Sequence, residues 1–303
     1  MIRHADVTVI MPNYNHAHFL NESLGAIFCQ SSIPKEVIVI DDASSDNSLE
    51  VIQEYQKQYP EIILIKNSKN QGPVVSLNLA LRMAKGKYLG FCAADDQVLP
   101  GFFEEGAKQL DLHPKAGICC SDPSFFKNQK PYRFFRMKIS KQKQPLEIKP
   151  DELEKLFLFT PLWIPSHASL FRKEFVVLSG GFPEELRHIS DWYLNLKIAI
   201  SHGIVHVPMS FGAFRLSTQS YGAKLGRSIR KKWKIYTELF RILSLESDRF
   251  RTVFRRAGVL GHVSSDVLIY LFMHFSLWNF IPFALFRKVC NFYRKIKRKI
   301  VFD

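Results

Sequence analysis

The chain has 303 residues, of which 47% are hydrophobic, and it carries a formal net charge of +14. This length and apolar content exclude intrinsic disorder and suffice for one substantial α/β domain with an extension. The charge is concentrated late in the chain, because residues 216–303 have a net charge of +13 and the remainder only +1. A basic surface of this kind is typical of proteins that contact nucleic acid or an anionic membrane.

The cysteines and the N-terminal segment bear on where the protein works. None of the five cysteines forms a C-x-x-C pair; they are Cys29, Cys92, Cys119, Cys120 and Cys290. Because an odd, scattered set fits neither a disulfide framework nor a zinc site, we expect reduced cytoplasmic thiols. The first apolar run is only strand length and ends at Pro12, which does not fit a secretory signal.

The first hundred residues alternate short β-rich runs with segments of helical periodicity. This alternation predicts an α/β fold with a mostly parallel sheet flanked by helices. The predicted elements are strand Val7–Met11, helix Phe19–Gln30, strand Val37–Ile40, a helix N-capped by Asp46, strand Ile62–Ile65, a helix opened by Gly72-Pro73 and closed by a left-handed Gly86, strand Tyr88–Cys92 and helix Pro100–Leu112.

The second half of the chain is less regular. The composition of Ser124–Pro150 predicts a loop, which we expect to cover a ligand site on the α/β domain. Strands are predicted at Ala168–Phe171 and Ile204–Val207, with a helix at Ser190–Ser201. Around Ser217–Arg227 the α/β pattern gives way to basic, aromatic helical sequence. We therefore predict an α/β domain over 1–218 and a basic helical region over 219–303.

Polar residues follow three of the predicted strands. The first strand ends in Pro12-Asn13-Tyr14-Asn15, the second in Asp41-Asp42-Ala43-Ser44, and the fourth precedes Asp95-Asp96. Ligands of open parallel α/β sheets bind beyond the carboxyl ends of the strands, so these clusters predict a site for a base, a ribose and a metal-bound diphosphate. The chain has no G-x-G-x-x-G after the first strand and no P-loop, which argues against a dinucleotide dehydrogenase and a P-loop enzyme.

Each cluster also has an ordinary structural interpretation. Asp95 and Asp96 either hold Mg²⁺ or Mn²⁺, which would stabilise a leaving nucleotide diphosphate, or form a turn that caps the helix after Pro100. Asp41-Asp42 is also common loop chemistry. Tyr14 either stacks on a base or belongs to the core or its rim. These residues taken singly leave both interpretations open.

Segments in the first hundred residues, taken together, resemble the motifs of family 2 glycosyltransferases with the GT-A fold, of the bacterial cell-surface polysaccharide type. The matching segments are Val7-Thr-Val-Ile-Met-Pro-Asn-Tyr-Asn15, Val37-Ile-Val-Ile-Asp-Asp-Ala-Ser-Ser-Asp46, Asn70-Gln-Gly72 with Asn78, and Gly86-Lys-Tyr88 before the acidic pair. Their order over roughly residues 5–100 makes the resemblance specific. It implies nucleotide-sugar binding by residues 1–115 and an acceptor side in 116–218.

The resemblance also implies roles for individual residues. It implies a donor site that contains Pro12, Asn13, Tyr14, Asp42, Asn78, Asp95 and His167, with Asp96 on Mn²⁺ or Mg²⁺. Within that site Pro12 and Tyr14 line the nucleotide pocket and Asp42 contacts the base. His188-Ile-Ser-Asp191-Trp192 resembles the family's E-D segment, whose Asp is the general base that removes the acceptor's proton. Asp191 as a helix N-cap and His167 as a structural histidine remain alternatives.

The chain departs from the family pattern at three positions. Ala93 stands where the motif D-x-D-D has its first acid, and Ala43 stands where glycine is common. His188 occupies a place near the base where an acid is frequent. The loss of the first acid at Ala93 weakens the expectation of a bound metal. His188 weakens the expectation that Asp191 has the acidic neighbour that is frequent in the family.

The sequence therefore predicts an enzyme that transfers a sugar with inversion from a nucleotide-diphosphate sugar to a glycan or lipid-linked acceptor, with a UDP-sugar as the first choice of donor. One alternative is a catalytically degenerate binding module, which Ala93 favours. Another is a sugar nucleotidylyltransferase, which is disfavoured because the chain lacks a glycine-rich basic loop after the first strand.

The basic tail combines apolar and cationic residues. Val267–Phe286 is about long enough to cross a bilayer but is interrupted by His274, Asn279 and Pro282, and basic residues follow at Arg287-Lys288 and Arg294–Lys299. This combination predicts a segment in an anionic membrane interface, with packed soluble helices and a membrane span as alternatives. No recognition motif accompanies the charge, so nucleic acid is not an expected partner. We expect a cytoplasmic protein bound peripherally to the inner face of the cell membrane.

Overall fold

The computed structural model describes residues 3–127, 133–134, 139, 144–159, 164–216, 229–256, 259–262 and 266–280. The strands are β1 Arg3–Asn13, β2 Ser32–Asp41, β3 Ile62–Lys66, β4 Tyr88–Phe91, β5 Gln97–Val98, β6 Ile118–Phe126, β7 Arg133–Phe134, β8 Leu146–Ile148, β9 Ser169–Arg172 and β10 Ile204–Arg215. The α-helices are α1 Ala17–Phe28, α2 Ser48–Gln58, α3 Pro73–Met83, α4 Phe102–Leu112, α5 Pro150–Phe159, α6 Lys173–Leu178, α7 Ser190–His202, α8 Ile229–Leu245, α9 Asp248–Arg256 and α10 Asp266–Phe272.

These strands form one sheet. Its order is β3-β2-β1-β4-β9-β6-β10-β5, with β7 beside β6 and β8 beside β10. The half around β1 is parallel, whereas β9 runs antiparallel between β4 and β6. This architecture confirms the predicted α/β class with a mostly parallel central sheet. Because β1, β2 and β4 run in the same direction, the polar residues that follow them meet at one edge.

The central strands are buried on both faces. Val7, Val9, Ile10 and Met11 of β1 have no solvent exposure, which is typical of parallel strands covered by helices on both sides. Helix α1 buries the predicted face that contains Leu20, Leu24, Ile27 and Phe28. The apolar runs of the sequence thus become a sheet between two helical layers, and the polar residues at the strand ends are left for a site.

Asp46 serves two helices and is not the N-cap that the sequence predicts for α2. The N-cap of α2 is Asn47, while one Asp46 oxygen accepts hydrogen bonds from the Ser48 N–H (3.1 Å) and the Ser48 hydroxyl (2.6 Å). The other oxygen accepts from the Ala17 N–H at 3.0 Å. This bond fixes the start of α1 two residues before the predicted Phe19.

The predicted role of Gly86 is wrong. Helix α3 ends at Met83 with Ala84 as its C-cap, and Gly86 does not have a positive φ. A Cβ at Gly86 would lie 2.5 Å from the backbone nitrogen of Thr8, and the Gly86 N–H donates to the Thr8 hydroxyl at 2.8 Å. Glycine is needed here because the backbone passes against β1.

The C-terminal helices confirm the predicted helical extension. Phe250, Phe254 and Leu271 are buried in the same apolar core as helix α7. The predicted apolar segment Val267–Phe286 contains α10 and a 3₁₀ turn at Phe275–Phe280, and its last six residues lie outside the described residues. Within the described part of the chain, no helix combines the length and apolarity needed to span a membrane.

The described residues of the predicted Ser124–Pro150 loop include the end of β6, strands β7 and β8 and the first residue of α5, so this segment is not purely a loop. Its other residues, and the predicted boundary at Ser217–Arg227, lie outside the described residues.

Candidate active site

A cavity of about 270 Å³ lies beyond the carboxyl ends of β1 and β4. Its apolar lining comes chiefly from α3 and from residues around the sheet, namely Pro12, Pro73, Val74, Leu77, Phe91, Phe182 and Phe214. Its polar and titratable lining consists of Asp96, Ser166, His167, Arg187, His188 and Asp191. Four predicted site residues, Pro12, Asp96, His167 and Asp191, therefore meet in one cavity.

Asn13 and Asp41 connect the ends of the two central strands. The buried Asn13 amide donates to the Asp41 carboxylate at 2.8 Å and to the Ser44 hydroxyl at 3.2 Å. Ser44 in turn accepts from the Asn15 N–H at 2.9 Å. These bonds hold the β1 and β2 loops together, so Asn13 shapes the edge of the site. The side-chain Oδ1 of Asn13 has no partner within the described structure.

Asp42 is buried and holds the loop that leads into α3. One of its oxygens accepts from the side-chain amide of Asn67 (2.8 Å) and the Gln71 N–H (2.9 Å), and the other accepts from the Gly72 N–H at 2.7 Å. Gly72 has a φ of 88°, which glycine adopts without strain. The Asp42 carboxylate thus fixes the loop beside the strand ends.

Tyr14 and Asn78 lie apart from the cavity lining. Tyr14, at the end of the β1 loop, is 46% exposed, so it is not a core residue. The Asn78 side chain donates to the Phe182 carbonyl at 2.8 Å and accepts from the Phe182 N–H at 2.9 Å. This paired contact positions Phe182, which lines the cavity. Asn78 therefore acts on the site through the segment it holds.

Asp95 and Asp96 are held by Arg215. The Asp96 carboxylate, 8% exposed, accepts from the Arg215 N–H at 2.7 Å, and the Arg215 Nε donates to the Asp95 carbonyl at 2.8 Å. The Arg215 guanidinium also pairs with Glu22 at 2.6 Å. Neither Asp95 nor Asp96 caps the following helix, because the N-cap of α4 is Gly101 and has no side-chain cap. Burial, reinforced by the charge of Asp95, raises the pKa of Asp96.

His167 is buried and neutral. Its Nδ1 accepts from the Ala93 N–H at 3.2 Å, and its Nε2 has no partner within the described structure. Burial lowers the pKa of His167 to about 4. Because Nδ1 is an acceptor, the proton of the neutral ring is on Nε2, which leaves a buried donor on a cavity residue. Gly212 makes room for the ring, since a Cβ there would lie 2.9 Å from the imidazole.

Asp191 is the terminal acceptor of a short hydrogen-bond relay. The Ser166 hydroxyl donates to Asp191 Oδ2 at 3.1 Å, and Ser166 Oγ accepts from the buried Asn195 amide at 2.9 Å. Asn195 also donates to the Ile164 carbonyl at 2.9 Å. Because the Asn195 nitrogen can only donate, the single Ser166 proton is directed at Asp191. Burial raises the pKa of Asp191, and the Ser166 hydrogen bond opposes this rise.

The backbone that leads into Asp191 is strained at Arg187. This residue has φ 49° and ψ −117°, a combination that glycine adopts and other residues avoid. Such a conformation costs about 1–3 kcal/mol and is found preferentially at functional sites. Arg187 and the relay residues Ser166 and Asn195 escaped the sequence analysis, because no local pattern indicates strain or a contact between α7 and the segment before β9.

The family profile described as glycosyl transferase family 2 matches residues 8–195, which is more than half of the chain. The chain belongs to glycosyl transferase family 2. It is therefore a transferase with the GT-A fold, as the resemblance implies. The family match covers all the predicted site residues, including Asp191.

Relatives and solved structures agree with this family assignment. A poly(ribitol-phosphate) beta-glucosyltransferase of Bacillus spizizenii is 33% identical over 96 residues, which are 30% of this chain and 15% of the relative. The structure of TarS residues 1–349 from S. aureus, in complex with UDP, aligns with a TM-score of 0.59 at 18% identity over 95% of this chain and 91% of that fragment. A mannosyltransferase from Pyrobaculum calidifontis, in complex with GDP-Man and Mn²⁺, aligns with a TM-score of 0.59 at 19% identity over 96% and 88% of the respective chains. These structural likenesses support the fold alone.

Proposed function

We propose that this family 2 member transfers a sugar from a nucleotide-diphosphate sugar to an acceptor hydroxyl, with inversion at the anomeric carbon. The observation that carries the proposal is the convergence of Asp96, His167 and Asp191, distant in sequence, on one cavity of about 270 Å³. A buried carboxylate, a neutral hydrogen-bond donor and a carboxylate that can act as a general base face one cavity, and this combination suits sugar transfer.

The donor site occupies the strand ends. Pro12 lines the cavity, and the exposed ring of Tyr14 is available to stack on a base. Asp42 would contact the base while it holds the α3 loop, because each carboxylate oxygen accepts more than one hydrogen bond. Asn13 and Asn78 would shape this site, and Asp95 would contact the ribose or sugar. The ligands bound in the two structural neighbours, UDP and GDP-Man, support a nucleotide-sugar donor, with a UDP-sugar as the first choice.

A divalent cation, Mn²⁺ or Mg²⁺, fits Asp96. The structure shows one Asp96 oxygen bonded to the Arg215 N–H, and the side chain lines the cavity. Mg²⁺ commonly binds through one or two carboxylates together with substrate phosphates, so a full protein cage is not needed. No cluster of three potential ligands occurs among the residues that the structure describes. Bound to Asp96 and the donor diphosphate, the cation would neutralise charge on the leaving group.

Asp191 is the proposed general base. It is half-buried at the start of α7 and lines the cavity, so an acceptor hydroxyl in the cavity could reach it. The elevated pKa of Asp191 suits a base, because proton transfer is most effective when the pKa approaches the working pH. His167, kept neutral by burial, would donate from Nε2 to a donor oxygen.

We further propose that the acceptor belongs to a cell-surface glycan or glycolipid and that the enzyme binds an anionic membrane surface from the cytoplasmic side. The basic character of residues 216–303 and the exposure of Ile269 (58%), Met273 (65%) and Trp278 (47%) support membrane contact. Deletion of residues 287–303 should release the protein from vesicles containing anionic lipid. Deletion from residue 260 would be uninformative, because it removes the buried Leu260 and Leu271.

Ligand-dependent stability tests the donor site. We expect one of UDP, GDP, dTDP and CMP to raise the melting temperature, and Mn²⁺ to enlarge the rise, because a ligand that binds only the folded state stabilises it. No rise with any nucleotide would contradict the donor site. Replacement of Asp96 by Asn should remove the Mn²⁺-dependent part and leave the protein folded.

Turnover tests the base. Asp191→Asn should lower transfer about 10²–10⁴-fold while nucleotide affinity stays unchanged. Asp248→Asn is a matched control, because the Asp248 side chain is 92% exposed and lies outside the cavity lining. Near-normal turnover of Asp191→Asn would remove Asp191 from the mechanism. Nucleotide binding without any turnover by the wild type would instead favour the degenerate binding module.

A further inference from the structure

Arg187 is a cation at the cavity that the proposed chemistry does not yet use. It lines the cavity with Asp191, its side chain is exposed, and its guanidinium has no ion pair or hydrogen bond within the described residues. Two carboxylates lie within three residues of it, but neither pairs with it. Glu185 binds Arg241 at 3.4 Å, and Glu184 contacts the Asn78 amide at 3.4 Å.

The strained backbone of Arg187 is a second observation that points to a role for its side chain. With φ 49° and ψ −117°, Arg187 occupies a turn conformation in which glycine is the usual residue. Glycine would relieve the strain, so packing alone gives no reason for arginine here. A strained residue whose charged side chain is unpaired at a cavity indicates a binding role.

The position of Arg187 along the chain decides which substrate it faces. Arg187 lies in the 3₁₀ turn Glu184–Ile189 that leads directly into α7, where Asp191 occupies the first turn. A general base must touch the acceptor hydroxyl, whereas the donor diphosphate belongs with Asp96 at the strand ends. Arg187 is therefore on the acceptor side of the cavity. A second basic residue lies near this part of the cavity. Burial lowers the pKa of His188, and the positive charge of Lys232 of α8 lowers it further.

We propose that Arg187 binds an oxyanion of the acceptor, so that the enzyme prefers acceptors with a phosphate or carboxylate near the hydroxyl that is glycosylated. This inference rests on the proposed function, because it assumes that Asp191 marks the acceptor side. A guanidinium suits the role because it binds phosphate and carboxylate through two parallel hydrogen bonds.

The test compares the binding of glycerol 3-phosphate and glycerol by calorimetry, with saturating UDP and Mn²⁺, or GDP or dTDP if UDP does not bind. The wild type should bind glycerol 3-phosphate at least tenfold more tightly than glycerol. Arg187→Gln should lose that preference, and Arg187→Lys should keep part of it. The affinity for the nucleotide should stay within about twofold in both variants. The affinities for glucuronate and glucose are compared in the same way to test a carboxylate in place of the phosphate.

A second variant separates function from folding. Arg187→Gly should raise the melting temperature by about 2–4 °C, because it relieves the strain, and should lose the anion preference. A preference for glycerol 3-phosphate that persists in Arg187→Gln would overturn the proposal. The proposal would also fail if the wild type bound glycerol 3-phosphate no better than glycerol and glucuronate no better than glucose, or bound none of these compounds detectably. Weakened nucleotide binding in Arg187→Gln would also overturn it, because Arg187 would then serve the donor. If no nucleoside diphosphate bound the wild type, the proposed function itself would fail.

Discussion

Removal of the Ser166 hydroxyl tests the relay that ends on Asp191. Ser166 donates to Asp191 Oδ2 at 3.1 Å and is itself held by Asn195 at 2.9 Å. A hydrogen bond to the charged form of an acid lowers its pKa, so Ser166→Ala should raise the pKa of Asp191 further. Since only deprotonated Asp191 can act as a base, the acidic limb of the pH–rate profile should move to higher pH.

The size of this effect follows from the bond. A hydrogen bond to a charged group contributes about 1.5–3 kcal/mol, and 1.36 kcal/mol corresponds to a tenfold change in proton affinity. Asp191 is half-buried, so the lower figure applies, and the limb should move by about one pH unit. On the acidic limb kcat/KM should fall about tenfold, which is less than the loss expected for Asp191→Asn.

The assay is kcat/KM against pH for the wild type, Ser166→Ala and Ser166→Thr. Threonine keeps the hydroxyl and should restore most of the profile. Asn195→Leu should reproduce part of the shift, because the Ser166 proton is then no longer directed at Asp191. A uniform loss of rate at every pH, with the limb unmoved, would refute the relay and leave Ser166 a structural residue.

Two further predictions concern stability. His167 has a pKa of about 4 in the folded protein against 6.5 unfolded, so the unfolded state takes up protons first and stability is lost as pH falls from 6.5 towards 4. The loss in the free energy of unfolding should reach about 3 kcal/mol. In urea titrations the free energy of unfolding of His167→Gln should depend less on pH than that of the wild type. The same pH dependence in both proteins would show that His167 is not the buried neutral group. Gly86→Ala should destabilise the fold by about 1–3 kcal/mol or more, because its Cβ would lie 2.5 Å from the Thr8 nitrogen. Gly25→Ala in α1, where the nearest atom is at 3.4 Å, should be neutral or stabilising, and equal effects of the two substitutions in thermal melts would contradict this explanation.

The fold was predictable because its signals are local. Continuous apolar runs such as Val7–Met11 predict buried parallel strands, and helical periodicity predicts the face of α1 that contains Leu20 and Leu24. Helix ends were less predictable, because partners distant in sequence decide them. Asp46 fixes the start of α1 from 29 residues away, and Gly86 serves a close approach to β1 that no local pattern indicates.

The residues of the candidate site also differ in whether the sequence predicts them. Residues at strand ends, such as Pro12 and Asp96, were predicted to share a site because the direction of the strands brings them together, and Asp191 was predicted because it lies in a segment that resembles a family motif. The residues that tune Asp191 carry no such mark, since Ser166 and Asn195 are 29 positions apart and meet only through the packing of α7. Ala43 shows how a departure from the family pattern becomes informative once the backbone is known. It has a φ of 62°, so the common glycine at this position reflects conformation, and alanine can stand there at the cost of strain without altering the chemistry of the neighbouring Asp42.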